Sequence, residues 1–148
     1  MNYLAYWNYK DWVDTRNEPP AYYSDAGILE DMAVGSELWL FTRKRGNQTI
    51  HVVQRIIIEL HPLPPPGGKR YAVAGEGLAN PRTIQLTQTA IDTESNSWLG
   101  VLSQMITLCG KHLASETAGG FARKFMCPRE ITAESAEMLT AEWQTRFG

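Results

Sequence analysis

The chain lacks an excess of basic residues. Its 14 Lys and Arg are outnumbered by 16 Asp and Glu, and the net charge is −2. Domains that hold nucleic acid mainly through its phosphates usually carry a strong basic excess. Any recognition of nucleic acid by this chain is therefore expected to be local, or to depend on a base.

Long hydrophobic runs and cysteine pairs are also missing. The uninterrupted apolar runs are far shorter than the ~20 residues that a membrane span needs, and no secretory signal is visible at the N-terminus. The two cysteines, Cys109 and Cys127, form neither a disulfide framework nor a Cys-x-x-Cys metal signature. These absences predict a soluble, reduced, cytoplasmic protein that does not associate with membranes.

Catalytic and cofactor motifs are scarce as well. The Gly-Glu-Gly sequence at 75–77 would need glycine in place of Asn80 to complete a dinucleotide fingerprint, and no Walker lysine motif or Gly-x-Ser-x-Gly elbow occurs. Cys109, His112 and Glu116 would share one side of a helix, but a tetrahedral metal site needs a further ligand. We therefore predict no catalytic residue, no metal and no cofactor, and favour a non-enzymatic role.

An apolar β-hairpin is the clearest structural feature. Residues 35–60 contain two alternating runs on either side of a charged tip. Large apolar groups occupy both faces of the first run, and Gln54 alone interrupts the more apolar face of the second. A long strand with two apolar faces predicts a sheet that bends into a barrel, with a bulge near Gln54.

The remaining segments predict the α+β class. Strands are expected at residues 3–7, 70–74, 83–87 and 121–126, and helices at 24–34, at 97–113 and after Thr132. Turns are expected at 75–77, and the prolines at 62–66 mark an exposed loop. The whole chain, 1–148, suits a single domain, predicted as a small bent mixed β-barrel of about five to six strands with flanking helices.

Aromatic residues are concentrated before residue 42 and include Trp7, Trp12, Trp39 and Phe41. Large aromatics are usually buried, so a bulky core is one interpretation. The other is a pocket with aromatic walls and polar edges that stacks a planar base and reads its edge. Basic residues near the hairpin tip would then meet phosphates, although such tips are more often simply solvated; they are Arg43, Lys44, Arg45 and Arg55.

Three segments follow one another in the first part of the chain: a strand ending in Tyr6-Trp7-Asn8, a helix leading into residues 34–40, and a long strand containing Val52-Val53-Gln54-Arg55-Ile56. Together they resemble the opening of PUA-like domains of the EVE and ASCH kind. The tail at residues 125–132 is similar to the closing part of some such domains. Ser36 stands where an aspartate is commoner, and the proline-rich loop resembles an insertion.

The resemblance implies a small bent β-barrel with helices packed outside it. It also implies non-covalent recognition of a nucleobase, plain or modified, in RNA or DNA. The residues that would line the pocket are Trp7, Asn8, Trp12 and Trp39. Of these, Trp7 and Trp12 would stack on the base, and Asn8 would form a hydrogen bond with its edge.

The alternative is a protein-interaction or accessory subunit without a ligand pocket. The near-neutral charge and the exposed loop at residues 63–66 favour it, and deletion of that loop would then remove a protein partner. For a base reader, Trp12→Ala is expected to abolish binding to a modified oligonucleotide and leave the thermal midpoint nearly unchanged. A cavity with polar edges between Trp7, Trp12 and Trp39 would favour the reader.

Overall fold

The protein alternates short strands and helices along the chain, and the computed structural model describes residues 1–108, 111–112 and 117–148. In chain order these residues form β1 (Asn2–Tyr6), α1 (Tyr9–Thr15), β2 (Ala21–Ser24), β3 (Glu37–Thr42), β4 (His51–Leu60), β5 (Tyr71–Gly77), α2 (Pro81–Asp92), α3 (Leu99–Met105), β6 (Thr107–Leu108), β7 (Lys111–His112), α4 (Ala118–Lys124), β8 (Arg129–Ile131) and α5 (Ala133–Phe147).

Six of the strands form one mixed sheet that curls into half a barrel, in the order β2-β5-β4-β3-β1-β8. β1 runs parallel to β3, and the other neighbours are antiparallel. The predicted α+β class and the bent mixed sheet are confirmed. The barrel is not closed, however, because β2 and β8 are the two edges of the sheet and do not pair with each other in the described part of the chain.

β3 and β4 form the predicted hairpin. Leu40 pairs with Gln54 and Phe41 with Val52, so the register shifts by one residue at Val53. This irregularity is the bulge predicted near Gln54. A bulge bends its strand and increases the local twist, which helps an otherwise flat pair of strands to curl.

Both faces of the sheet are covered, which explains the apolar residues on both sides of β3. On the α5 face, as we name it, Trp39 and Phe41 pack against residues of α4 and α5, among them Phe121, Leu139 and Trp143. On the opposite α1 face, Leu38 and Leu40 pack with Trp7, which follows β1, and with residues of β1, α1, β2 and α2, among them Trp12, Tyr22 and Ile91.

Two predicted strands are helices. Residues 83–87 lie within α2, which begins with a capping box: the Thr83 amide donates to Asn80 Oδ1 at 3.0 Å and the Asn80 amide donates to Thr83 Oγ1 at 2.7 Å. The Asn80-Pro81 pair therefore starts this helix, and threonines at positions 83 and 87 belong to its buried stripe. Residues 121–126, the other predicted strand, fall mainly in α4.

Other boundaries also differ from the prediction. Residues 24–34 contain only a short 3-10 turn, Gly27–Leu29, and β5 continues through the expected turn at 75–77. The helix predicted at 97–113 ends at Met105 and is followed by extended backbone at Thr107–Leu108, whereas positions 109 and 113 lie outside the described residues. α5 begins as predicted, since the Thr132 hydroxyl accepts a hydrogen bond from the Ser135 amide at 3.1 Å.

Candidate ligand-binding pocket

A narrow pocket of about 120 Å³ opens on the α1 face, between α1, the loop that follows it, and β4. Its aromatic walls are Trp7, which is 7% exposed, and Trp12, which is 2% exposed. Gln54 is the buried polar residue that lines it, while Arg16 and Tyr23 lie at its rim. The pocket thus combines apolar walls with a small number of polar groups, the composition typical of small-molecule sites.

Trp7 is held in place by the sheet. It follows β1 directly, and its amide donates to the carbonyl of Phe41 at 2.8 Å, which prolongs the pairing of β1 with β3. Its indole meets the ring of Tyr22 edge-on, with centroids 6.0 Å apart and an interplanar angle of 86°. These contacts fix the orientation of the wall that Trp7 provides.

Trp12 is presented by α1. Asn8 caps this helix, because its Oδ1 accepts a hydrogen bond from the Lys10 amide at 2.9 Å. The ring of Tyr9 lies 6.2 Å from the Trp12 ring. The Arg16 guanidinium lies 5.8 Å from the Trp12 ring centroid, one helical turn further along, and its Nη1 donates to Gln88 Oε1 of α2.

The proline-rich loop borders the pocket through Pro66. Gly67 follows with φ +70°, and a Cβ at this position would lie 2.8 Å from Cε2 of Tyr23. Glycine is therefore needed for the loop to lie against this ring. The loop that sequence reasoning assigned to protein contacts is consequently also part of the pocket rim.

The rim has an acidic side. Burial, and then the carboxylates of Asp11, Glu18 and Asp14, raise the pKa of Tyr23. Its hydroxyl therefore stays protonated at neutral pH and keeps both donor and acceptor capacity. The same carboxylates disfavour an anion on this side of the mouth, which leaves Arg16 as the cationic side.

Trp7 and Trp12 line the same pocket, whereas Trp39 and Phe41 lie on the opposite face of the sheet. Trp39 is 0% exposed on the α5 face, where its ring meets that of Trp143 at 6.3 Å. Phe41 is also fully buried there, 5.3 Å from Phe121. The expected convergence of Trp39 with Trp7 and Trp12 does not occur, because successive residues of β3 face opposite sides of the sheet.

Asn8 lies outside the pocket lining, and its side chain is engaged in capping α1. Trp12 belongs to the buried core of the α1 face. Truncating it removes packed volume and lowers stability whether or not it contacts a ligand. Trp12→Ala therefore cannot separate binding from folding in the way the sequence suggested.

Three of the four basic residues of the hairpin have intramolecular contacts. Arg43 Nη1 donates to the Asn47 carbonyl at 2.8 Å, which closes the tip, and Lys44 Nζ lies 3.8 Å from Asp92. Arg55 pairs with Glu37 at 3.4 Å, and its guanidinium lies 5.8 Å from the Trp39 centroid. Arg45 is exposed. None of the four lines the pocket.

Sequence reasoning did not select Gln54, Arg16 or Tyr23 as site residues. Gln54 carried a signal, since it interrupts an otherwise apolar strand face. A buried amide has to find hydrogen-bond partners or leave polar atoms available to a ligand. Arg16 and Tyr23 carried no comparable signal, because their position at the rim depends on how α1 and β2 pack.

Within the described residues, no three His, Cys, Asp or Glu side chains group as a metal site would require. Positions 109 and 116 of the metal set weighed from the sequence lie outside that part of the chain, as does the side chain of His112. The described helices include none that combines the length and the apolar character of a membrane span.

Comparisons of the chain with protein-family models, curated proteins and solved structures returned no significant match.

Proposed function

We propose that the chain is a non-enzymatic recognition module of the PUA-like type that binds a nucleobase in the pocket on its α1 face. The observation that carries the proposal is a pocket walled by two tryptophans, with the buried amide of Gln54 in its lining. Aromatic walls that stack a ring, combined with a few polar atoms that read its edge, are what base recognition requires. The curled mixed sheet with flanking helices agrees with the resemblance in fold class and in the bend of the sheet, although its barrel is open.

The size of the pocket restricts the ligand. Its volume is about 120 Å³, and a buried cavity of roughly 150 Å³ takes up one benzene molecule. The pocket therefore suits one six-membered ring better than the fused rings of a purine. We assign the ligand as a pyrimidine base, either within a single strand or extruded from a duplex.

The charges at the rim indicate where the strand would run. Asp11, Asp14 and Glu18 repel phosphates from the side of Tyr23, whereas Arg16 attracts them on the other side. Lys10 and Arg16 both line an open groove next to the pocket, and the carboxylate in its lining, that of Asp92, lies 3.8 Å from the Lys44 ammonium. The phosphodiester backbone is expected to follow this groove, so that the base alone enters the pocket.

The test fills the pocket without removing any core residue. Ala21 of β2 lines the pocket, so Ala21→Leu places a larger apolar side chain in the space that the base would occupy. Binding of fluorescein-labelled single-stranded DNA is measured by anisotropy, with a central deoxyuridine in one strand and an abasic site in an otherwise identical strand. The base-dependent part of the affinity, about 1–3 kcal/mol for a stacked base, should disappear in the variant.

Ala141→Leu is the matched control. Ala141 is exposed on α5 and does not line the pocket. This variant should keep the wild-type difference between the two strands, and the thermal midpoint of each variant shows that it is folded. Equal binding of the base-containing and abasic strands by the wild-type protein would contradict the proposal.

The protein-interaction alternative depends on the proline-rich loop. Leu63 is 87% exposed in this loop. A single exposed apolar residue is ordinary on a protein surface and does not define an interface. Because Pro66 of the same loop contributes to the pocket, we favour ligand binding over a separate docking role.

A further inference from the structure

Gln54 is the polar residue most constrained within the pocket. It lies on β4 immediately after the bulge and is 8% exposed. A buried amide costs free energy unless its oxygen and its nitrogen both find partners. The hydrogen-bond partners of these two atoms therefore indicate which polar group a ligand should present to the pocket.

The oxygen of Gln54 is fully used. Oε1 accepts hydrogen bonds from the amides of Arg55 at 2.9 Å, Leu78 at 2.9 Å and Ala79 at 3.0 Å. The opposite orientation would aim the NH₂ group at three N–H donors. The contacts therefore determine which terminal atom is oxygen.

The nitrogen of Gln54 is then directed away from these amides. Nε2 makes no hydrogen bond within the described part of the chain, and the residue lines the pocket. Gly77 makes room for this arrangement, since a Cβ there would lie 3.0 Å from Nε2 and 2.5 Å from Cγ of Pro20. The amide is held in place by the backbone and offers its donors to whatever enters.

We propose that Gln54 is a specificity-determining residue and that the pocket selects a pyrimidine with a carbonyl, rather than an amino group, at position 4 of the ring. The inference rests on the proposed function. The sugar on N1 has to remain at the mouth, so the opposite ring atom, C4, enters deepest and meets the buried amide. A 4-oxo group accepts from Nε2, whereas a 4-amino group places one donor against another and leaves both unsatisfied.

The experiment compares three strands that differ only in their central residue, which is deoxyuridine, deoxycytidine or an abasic site. The wild-type protein should bind the deoxyuridine strand about tenfold more tightly than the deoxycytidine strand. In Gln54→Glu, one carboxylate oxygen still accepts the three backbone amides, while the atom facing the pocket changes from a donor to an acceptor. The preference should then reverse in favour of deoxycytidine.

Gln85→Glu makes the same chemical change at an exposed position of α2 and should leave the ratio unchanged. The ratio of the two affinities is the readout, so a general weakening caused by the added negative charge cancels. Equal binding of the two pyrimidines by the wild-type protein, or a retained deoxyuridine preference in Gln54→Glu, would overturn the proposal.

A second measurement needs no variant. In ¹⁵N spectra of the wild-type protein, the side-chain NH₂ signals of Gln54 should shift with the deoxyuridine strand and stay in place with the abasic strand. If those signals stay in place while the deoxyuridine strand binds better than the abasic strand, Gln54 does not read the base. If all three strands bind equally, the base-binding function itself is wrong, which is a distinguishable result.

Discussion

The two faces of the sheet bury tryptophan in different ways. On the α5 face the rings contact one another: Trp39 and Trp98 each lie 6.3 Å from Trp143, and Phe121 stacks on Phe125 at 5.0 Å. On the α1 face Trp7 and Trp12 are almost as deeply buried but border a pocket. Burial alone therefore does not separate a structural aromatic from one that can contact a ligand. The α1 face differs because its two tryptophans, together with Gln54, border an open space instead of one another's rings.

The largest effect is expected from truncating the closed aromatic cluster of the α5 face. Trp39→Ala removes a side chain that is fully enclosed by its neighbours. Replacement of a buried tryptophan by alanine costs about 3–5 kcal/mol. Urea unfolding should show this loss, and Trp39→Phe should restore much of it because an aromatic ring is retained. A loss below roughly 1 kcal/mol would show that the α5 face is loosely packed.

A second test concerns the imidazole of His51, which lies on the same strand as Gln54. His51 is buried, and Nε2 finds no hydrogen-bond partner among the described residues. Burial, and then the Arg146 cation, lower the pKa of His51 to about 4. The unfolded chain, with an ordinary histidine pKa of about 6.5, binds a proton first as the pH falls.

The contribution of His51 to the free energy of unfolding should therefore be constant above about pH 6.5. It should fall by roughly 3 kcal/mol between that pH and about pH 4. His51→Leu removes the titrating group. The difference between wild-type and variant unfolding free energies, measured at several pH values, isolates its contribution from that of the carboxylates. Parallel pH profiles for the two proteins would contradict the expected depression of the pKa.

The third prediction compares the α1 face directly with the α5 face. Trp12→Ala should cost about 3 kcal/mol, at the low end of the range for a buried tryptophan and less than Trp39→Ala, because the adjoining pocket lets neighbours and water occupy part of the space. Urea unfolding of the two variants under the same conditions gives the comparison. Equal losses would mean that the α1 face is packed as tightly as the α5 face.

The features that sequence reasoning predicted well are local ones. The hairpin follows from alternation within β3 and β4, and α5 follows from the cap at Thr132 and the buried spacing of Leu139 and Trp143. In each case the residues that decide the structure are near neighbours in the chain. The bulge near Gln54 was also predicted from local sequence, since a long strand with two apolar faces indicates a bend.

The features that were mispredicted depend on distant residues. The apolar pattern of β3 does not say which helix covers which face, so Trp39 was grouped with Trp7 and Trp12. The orientation of the Gln54 amide depends on its hydrogen bonds with the backbone amides of Leu78 and Ala79, which lie 24 and 25 positions further along the chain. α2 was mistaken for a strand because threonines occupy part of its buried stripe. The candidate pocket could therefore be assembled only from the packed structure.

The smallest effects on stability are expected at the basic residues that distinguish the pocket rim from the hairpin tip. Arg45 is exposed, so Arg45→Gln should change stability by less than about 0.5 kcal/mol. Arg16 lies beside the pocket, and a phosphate held there contributes about 0.7 to the slope of log affinity against log salt for a single strand. Arg16→Gln should lower that slope by this amount, and Arg45→Gln should leave it unchanged.

Anisotropy titrations of the deoxyuridine strand at several salt concentrations measure both slopes. If Arg45→Gln lowers the slope and Arg16→Gln does not, the strand crosses the hairpin tip, as the sequence predicted, and the groove lined by Lys10 and Arg16 is not its path. The absolute affinities do not enter this comparison, because a slope counts displaced counterions whatever the strength of the base contact. The path of the backbone is thus tested separately from the specificity of Gln54.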